Sequence, residues 1–372
     1  MLVQIREVKL IMKKIKILYT ISNFHTAGSG KVVYDLVKHM DNNQFEVEIA
    51  CGSSDGDFYK VVSTLGLPIH VFETKTNYRP YPSLLFRIWK ISKFFKEQQY
   101  DVVHSWQWSS DWTEALAAKL AGVKWLYTKK AMGFNSRHWK IKSFLADYII
   151  TINDEMSAYF PNKTKQALIP LGIDTAYYDT KKVAKTKAMN PDKFHIITVA
   201  NLVPVKGIEI LLEAMAILQD SGIQLSVLGD CENAYGLNMM LLTEHLGLQE
   251  QVKFLGKQLD VRPYISQADL YVIPTLDAGR KEGMPMALVE AMSMGIPVLG
   301  SHITGINYVL KAFPELLFPA GNAEVLAEKM KQLKATDPIQ RLALGKRLRT
   351  YCETHFTMEA FIAAHEALYK TL

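Results

Sequence analysis

Residues 282–298 read Glu-Gly-Met-Pro-Met-Ala-Leu-Val-Glu-Ala-Met-Ser-Met-Gly-Ile-Pro-Val. Gly283 and Pro285 place Glu282 on a loop, and Pro285 sits where proline is welcome, beside a helix start. The run that follows is predicted helical and carries Glu290 about a turn and a half in. Gly295 ends that helix, and Pro297-Val298 opens a strand. A helix N-terminus offers unpaired backbone N–H groups and a partial positive charge, a natural seat for a phosphate. Two carboxylates eight residues apart then flank that seat, one within reach of a sugar and the other of a diol one nucleotide-length away.

Outward from this stretch, short apolar runs alternate with helical ones. Strands are predicted at Ile15–Thr20, Glu46–Cys51, Ile69–Phe72, Val102–His104, Trp125–Thr128 and Tyr148–Ile152. A second series falls at His195–Ala200, Gln224–Leu228, Val252–Leu255, Leu270–Ile273 and Val298–Gly300. Most show no polar–apolar alternation, as expected of parallel strands buried on both faces. Segments such as Ile208–Gln219 and Ala323–Leu333 carry the helical period. The expected fold is α/β, with two doubly wound, Rossmann-like parallel-sheet domains facing a cleft. The lysine-rich stretch Thr180–Lys193 reads as the join. Residues 1–180 form the first domain, 181–193 the linker and 194–350 the second domain, with a C-terminal helix in 351–372 packing back on the first. Ligands of such sheets bind at the carboxyl ends of the strands, so the loops after the strands carry the chemistry.

The 282–298 stretch resembles the E-x7-E signature of retaining glycosyltransferases of the GT-B fold, glycosyltransferase family 4. The resemblance covers nearly the whole chain. In that family the first glutamate contacts the donor sugar and the second the ribose hydroxyls, roles that fall to Glu282 and Glu290. Val199–Gly207 looks like the loop in which an arginine and a lysine grip the donor diphosphate. Lys206 matches the lysine, and Asn201 stands where the arginine is usual. Leu228-Gly229-Asp230 resembles the nucleotide loop, although Cys231 departs from its usual glycine. Phe254-Leu255-Gly256-Lys257 resembles the loop bordering the base. The resemblance thus implies a donor site built from Asn201, Lys206, Asp230, Gly256, Lys257, the Glu282-Gly283-Met284-Pro285-Met286-Ala287 run and Glu290. The segment Asp277–Lys281 before it is longer and more basic than the family pattern.

In the first domain, Asp101-Val-Val-His104 is similar to the family's DVVH segment. It makes His104 a third catalytic candidate beside Glu282 and Lys206, touching donor sugar or acceptor. After the next strand, where the family often has a histidine, stand Lys129 and Lys130, candidate cations at the cleft. Ile169–Asp174 resembles the turn that closes the first domain, with Leu171 in place of asparagine. The resemblance implies transfer of a sugar from a nucleotide-diphospho donor to a hydroxyl, with retention, in cell-surface polysaccharide or glycolipid synthesis. The acceptor is a glycan or lipid-linked molecule presented by the first domain, and no metal or other cofactor is required. A nucleotide-sugar epimerase and a non-catalytic nucleotide-sugar binder on the same fold are the alternatives.

The stretch His25–Lys31, His-Thr-Ala-Gly-Ser-Gly-Lys, imitates a nucleotide triphosphatase P-loop. It lacks the leading glycine, where His25 stands, and the serine or threonine after the lysine, where Val32 stands. In the family's frame Gly28, Ser29 and Gly30 form a glycine-rich turn whose backbone approaches the donor diphosphate. Lys31 is expected to begin a helix and point outward. The acidic pair in Asp55-Gly56-Asp57 is too common a spacing to mark a metal site.

Residues 1–190 hold 27 lysines and arginines against 17 acids, whereas 191–372 hold 16 against 20. A basic first half suits an anionic surface. Within it, Leu84–Lys96 is amphipathic. Leu84, Leu85, Ile88, Ile91 and Phe95 share the face expected to pack on the sheet. Phe86, Arg87, Trp89, Lys90, Lys93 and Phe94 are left to contact an anionic membrane. No stretch is long and apolar enough to span a bilayer, and the N-terminal residues do not read as a signal peptide. Residues 1–11 read as a lead ahead of Met12. Three scattered cysteines fit a reducing compartment. The expected location is therefore cytoplasmic, peripheral on the inner face of the cell membrane. No nucleic-acid motif is present.

Overall fold

A computed structural model describes residues 13–25, 28–133, 136–184, 190, 192–279 and 282–372. The lead 1–11, most of the linker's middle and part of the basic run before Glu282 lie outside the described residues. Contacts divide the chain into two compact units. One draws on 1–128, 135–150 and 362–372, the other on 129–134 and 151–361.

One sheet has seven strands, most of them in the first unit: β1 (Ile15–Ile21), β2 (Phe45–Cys51), β3 (Ile69–Val71), β4 (Val102–Ser105), β5 (Lys124–Lys129), β6 (Tyr148–Thr151) and β7 (Gln166–Leu168). Their spatial order is β3-β2-β1-β4-β5-β6-β7. β1 runs parallel to both β2 and β4, with Ile17 opposite Val47 on one side and Val102 on the other. Ile17, Leu18 and Tyr19 are wholly buried, which is why β1 shows no alternation.

The second unit carries β8 (Phe194–Val199), β9 (Ile223–Leu228), β10 (Val252–Phe254), β11 (Leu270–Ile273), β12 (Val298–Ser301) and β13 (Leu317–Phe318). They are ordered β10-β9-β8-β11-β12-β13. β8 pairs in parallel with β9 and with β11. In each unit the order reverses beside the first strand, between β1 and β4 and between β8 and β11. Such a switch point opens a crevice at the carboxyl ends of the two strands.

Each of the eleven strands read from sequence has a counterpart here within two residues at either end. β7 and β13 were not expected. They are three and two residues long.

The helix expected to begin at Lys31 starts earlier and spans Gly28–His39. Gly28, Ser29 and Gly30 are therefore its first turn rather than a loop. A Cβ on Gly30 would come within 3.0 Å of the Phe24 ring, so its small size lets the helix pack on Phe24 and Phe58. Lys31 does not point freely outward. It pairs with Asp35 at 2.6 Å, one helical turn on.

On the helix Leu84–Glu97, Ile88, Ile91 and Phe95 are buried as expected, but Leu85 is 73% exposed and Leu84 half-buried. Ser92, seven residues on and at nearly the same angle around the helix, is buried where Leu85 is not. Phe86, Trp89, Lys90 and Lys93 are exposed, whereas Phe94 is half-buried against Phe72 and His70. Arg87 faces the chain itself, donating to Thr76, Ser83 and the carbonyls of Asn77 and Pro80.

Candidate functional site

The second unit's switch point brings together two loops far apart in sequence. After β8 the chain makes a short turn, Pro204–Lys206, that ends on Gly207 in the left-handed region at φ 62°. A side chain at Gly207 would run into the carbonyl of Pro274 beyond β11 and would be strained by its backbone. That close approach is fastened by the amide of Leu276, which donates to the carbonyl of Val205 at 2.8 Å. It places Lys206 against Glu282, and their side chains form an ion pair. Burial pushes the Lys206 ammonium down to about 8. The ion pair with Glu282 thus sits in a partly dried pocket, where holding the lysine's charge is costly.

Glu282 is held from several sides. Its backbone bridges Ala131 in antiparallel fashion. Gly283 lies so close to the Lys130 carbonyl and the Met156 side chain that a Cβ would collide with both. The carbonyl of Gly283 accepts from Asn153 Nδ2 at 2.6 Å, while Asn153 Oδ1 caps the short helix behind it by accepting from the amide of Met156. Met284 is buried and takes a contact from the amide of Leu171. Pro285 then opens the helix Met286–Ser293. The first-turn amides, at Met286 and Ala287, have no partner within the helix geometry and present their N–H groups at its N-terminus.

Glu290, one face further along this helix, accepts a hydrogen bond at 2.7 Å from the hydroxyl of the buried Tyr178. Such a charge-assisted bond contributes about 1.5–3 kcal/mol and fixes the carboxylate's orientation.

The neighbouring loops are joined as well. The amide of Gly229, after β9, donates to Gly256 after β10 at 3.0 Å. Asn233 Nδ2 reaches both the Leu202 carbonyl, after β8, and the Asp230 carbonyl, and its Oδ1 caps the helix Ala234–His245. Asn201, Asp230 and Lys257 are exposed on this rim, and Gly256 takes a positive φ of 67°. The structure thus draws the sequence-predicted residues of the second half onto the carboxyl ends of four adjacent strands. No basic side chain stands at position 201.

In the first unit His104 lies inside β4, wholly buried. Its Nδ1 lies 2.6 Å from the Tyr369 hydroxyl and its Nε2 2.8 Å from the Thr128 hydroxyl, and its ring stacks on His365. Both ring nitrogens are engaged by the unit's own core. Lys129, in the second unit, is buried as well, its ammonium bonded to the carbonyl of Ala131 and set over the Tyr159 ring; Lys130 beside it is half-buried.

Four contributors escaped sequence reasoning: Asn153, Asn233, Tyr178 and Arg349, whose guanidinium donates to the carbonyls of Tyr178 and of Ser293 on the helix of Glu290. The two asparagines each precede a helical run, an N-cap signature that was there to be read. Tyr178 and Arg349 carry no local signal.

Two family models match the chain in tandem. "Glycosyltransferase Family 4" covers residues 26–177, and "Glycosyl transferases group 1" covers 179–350. Among curated relatives, the amylovoran biosynthesis glycosyltransferase AmsK of Erwinia amylovora is 28% identical over 246 residues, 59% of this chain and 58% of that one. The chain spans about half the length of the first curated relatives it matches. The Escherichia coli UDP-Gal:alpha-D-GlcNAc-diphosphoundecaprenol alpha-1,3-galactosyltransferase is 24% identical over 315 residues, 77% of this chain and 79% of that one. Among solved structures, a glycosyltransferase from Rickettsia africae superposes with a TM-score of 0.84 at 17% identity, over 96% of this chain and 98% of that one. Anabaena Alr3699/HepE, solved with UDP and glucose, superposes at 0.79 and 18% identity, over 96% and 100%. At these identities the superpositions establish the fold.

Proposed function

The chain belongs to the GT-B glycosyltransferases that join a family 4 domain to a group 1 domain, and from that premise we propose that it moves a sugar from a nucleotide-diphospho donor to a hydroxyl of a glycan or lipid-linked acceptor, retaining the anomeric configuration, in polysaccharide or glycolipid synthesis. The observation that carries this reading is the Lys206–Glu282 pair at the switch point, set beside the N-terminus of the helix that bears Glu290. Lys206 and the first-turn amides meet the departing diphosphate. Glu282 orients the sugar, and Glu290 takes the ribose hydroxyls. Catalysis here is positioning together with electrostatic stabilisation of charge that grows on the leaving group. In this reading the protein's own cation and amides supply that charge, so transfer needs no metal. We assign the acceptor to the first unit.

A thermal-shift panel of UDP-, GDP- and ADP-sugars, run with EDTA present, tests the donor reading. One donor class is expected to raise the melting temperature in proportion to its concentration and to support transfer. A flat response to the whole panel would remove the proposal.

We further place the protein at the cytoplasmic face of an anionic membrane, through the helix Leu84–Glu97. Phe86 and Trp89 stack with centroids 5.8 Å apart, Lys90 lies 4.8 Å over Phe86, and Leu85 and Tyr81 extend the exposed apolar surface. Apolar rings among cations suit the interface of anionic lipid. No helix among the described residues is long and apolar enough to cross a membrane. The protein should co-sediment with phosphatidylglycerol vesicles and not with phosphatidylcholine vesicles, and the double substitution Phe86→Ser with Trp89→Ser should abolish it. Equal failure to bind both vesicle types would sink this part of the reading.

A further inference from the structure

We propose that Tyr178 and Arg349 set the recognition of the donor's ribose by holding the Glu290 carboxylate in a single orientation, an inference that rests on Glu290 being the ribose ligand. Glu290 lies on the eight-residue helix Met286–Ser293. Its carboxylate is fixed from outside, by the Tyr178 hydroxyl at 2.7 Å on Oε1. That bond sets the orientation of the carboxylate by fixing one of its two oxygens.

Tyr178 is itself held by the backbone around it. Within the turn, the amides of Tyr177 and Tyr178 donate to the carbonyl of Asp174, and Asp174 Oδ1 accepts from Ala176 and Tyr177. Arg262 clamps one side, stacked 3.5 Å over the Tyr177 ring and donating to its carbonyl. Arg349 clamps the other and also reaches the helix of Glu290. One guanidinium nitrogen donates to the carbonyl of Tyr178 at 3.0 Å and to that of Ser293, the last residue of that helix, at 2.7 Å. The second donates to Thr175 at 3.1 Å, and Nε holds Glu353 at 2.8 Å. A single planar group therefore fixes the distance between the hydroxyl that donates and the carboxylate that accepts. Arg349 comes close enough because Gly345, on the same helix Pro338–His355, packs directly on the carbonyl of Gly295. Tyr178 and Arg349 are positioning residues: both act through Glu290.

The test compares binding of UDP, GDP and ADP with their 2′-deoxy counterparts by calorimetry. The full-length protein is measured against Tyr178→Phe, Arg349→Lys and Arg349→Gln. The unaltered protein is expected to bind its preferred ribonucleotide roughly 10- to 100-fold more tightly than the 2′-deoxy form, the range for one hydrogen bond to a charged group. Tyr178→Phe, which removes one oxygen and keeps the packed ring, should shrink that ratio at least about threefold. Arg349→Gln should do the same, and Arg349→Lys should fall between. An unchanged ratio in Tyr178→Phe overturns the proposal, as does a native protein that binds the ribo and deoxy forms equally. Either result leaves the glycosyl-transfer reading standing. If none of the three nucleotides binds the native protein, that reading fails first and this inference fails with it.

Discussion

Lys206→Ala is expected to lower turnover by roughly 100- to 1,000-fold, the usual effect of removing one preorganised group from a developing anion, while the protein still folds. Lys206 ends a three-residue turn at the surface of the sheet and lies half-buried, so its removal opens no core cavity. The loss should appear in kcat more than in KM, because the diphosphate gains most of its negative charge as the glycosidic bond breaks. The same group sets a pH limit. Its folded pKa is pushed down to about 8 from an ordinary value of 10.5. As pH rises through 8 the folded protein gives up the proton, the ammonium becomes a neutral amine, and its hold on the diphosphate goes. The sign for stability is opposite. The unfolded chain keeps the proton up to about 10.5, so burying a charged lysine costs stability fully below pH 8, and that cost is relieved between 8 and 10.5. The free protein's kcat/KM should therefore fall above pH 8 while the melting temperature gains from this group. A kcat/KM profile flat to pH 9.5, or near-normal turnover by Lys206→Ala, would remove the assignment.

Glu282→Ala is expected to cost turnover roughly 100-fold or more. Its carboxylate is the partner of Lys206, and its backbone is pinned by Ala131 and, through Gly283, by Asn153. The loop should keep its course without the side chain, because those fastenings are made by main-chain atoms. What is lost is the group proposed to orient the sugar, and with it the ion-pair partner of Lys206. Residues in direct contact are not additive, so Lys206→Ala combined with Glu282→Ala should be little worse than the poorer single variant. Glu282→Gln keeps the shape but not the charge, and should retain more sugar affinity than alanine while failing to restore kcat. Fully additive losses would show that the pair does not act as a unit, and a vigorous Glu282→Ala enzyme would displace Glu282 from the donor sugar.

Much of this architecture was legible before any coordinates. β1, β8 and β11 announce themselves because strands covered on both faces need continuous apolar runs. The order of loop, proline, helix and glycine in 282–295 was equally plain, since each of those residues has few alternative conformations. Where reading went astray, the cause was local ambiguity that packing resolved. Gly28–Gly30 looked like a loop, yet Phe24 and Phe58 hold it in a helical turn. Leu85 and Ser92 differ by seven residues and so lie on nearly the same face, and only the neighbouring sheet decides which is covered.

By itself the sequence determined the two series of parallel strands, the helix that starts at Pro285, and the family to which Glu282, Glu290 and Lys206 point. These are properties of short windows, encoded by periodicity and by residues with restricted backbones. Tertiary structure alone decided that β8 lies beside β11, so that Lys206 meets Glu282 across 76 residues. It also decided that His104 is enclosed by Thr128 and Tyr369, and that Arg349 ties Tyr178 to the helix of Glu290. Such meetings depend on sheet order and on which surfaces are left to bury, and no short stretch of chain encodes either.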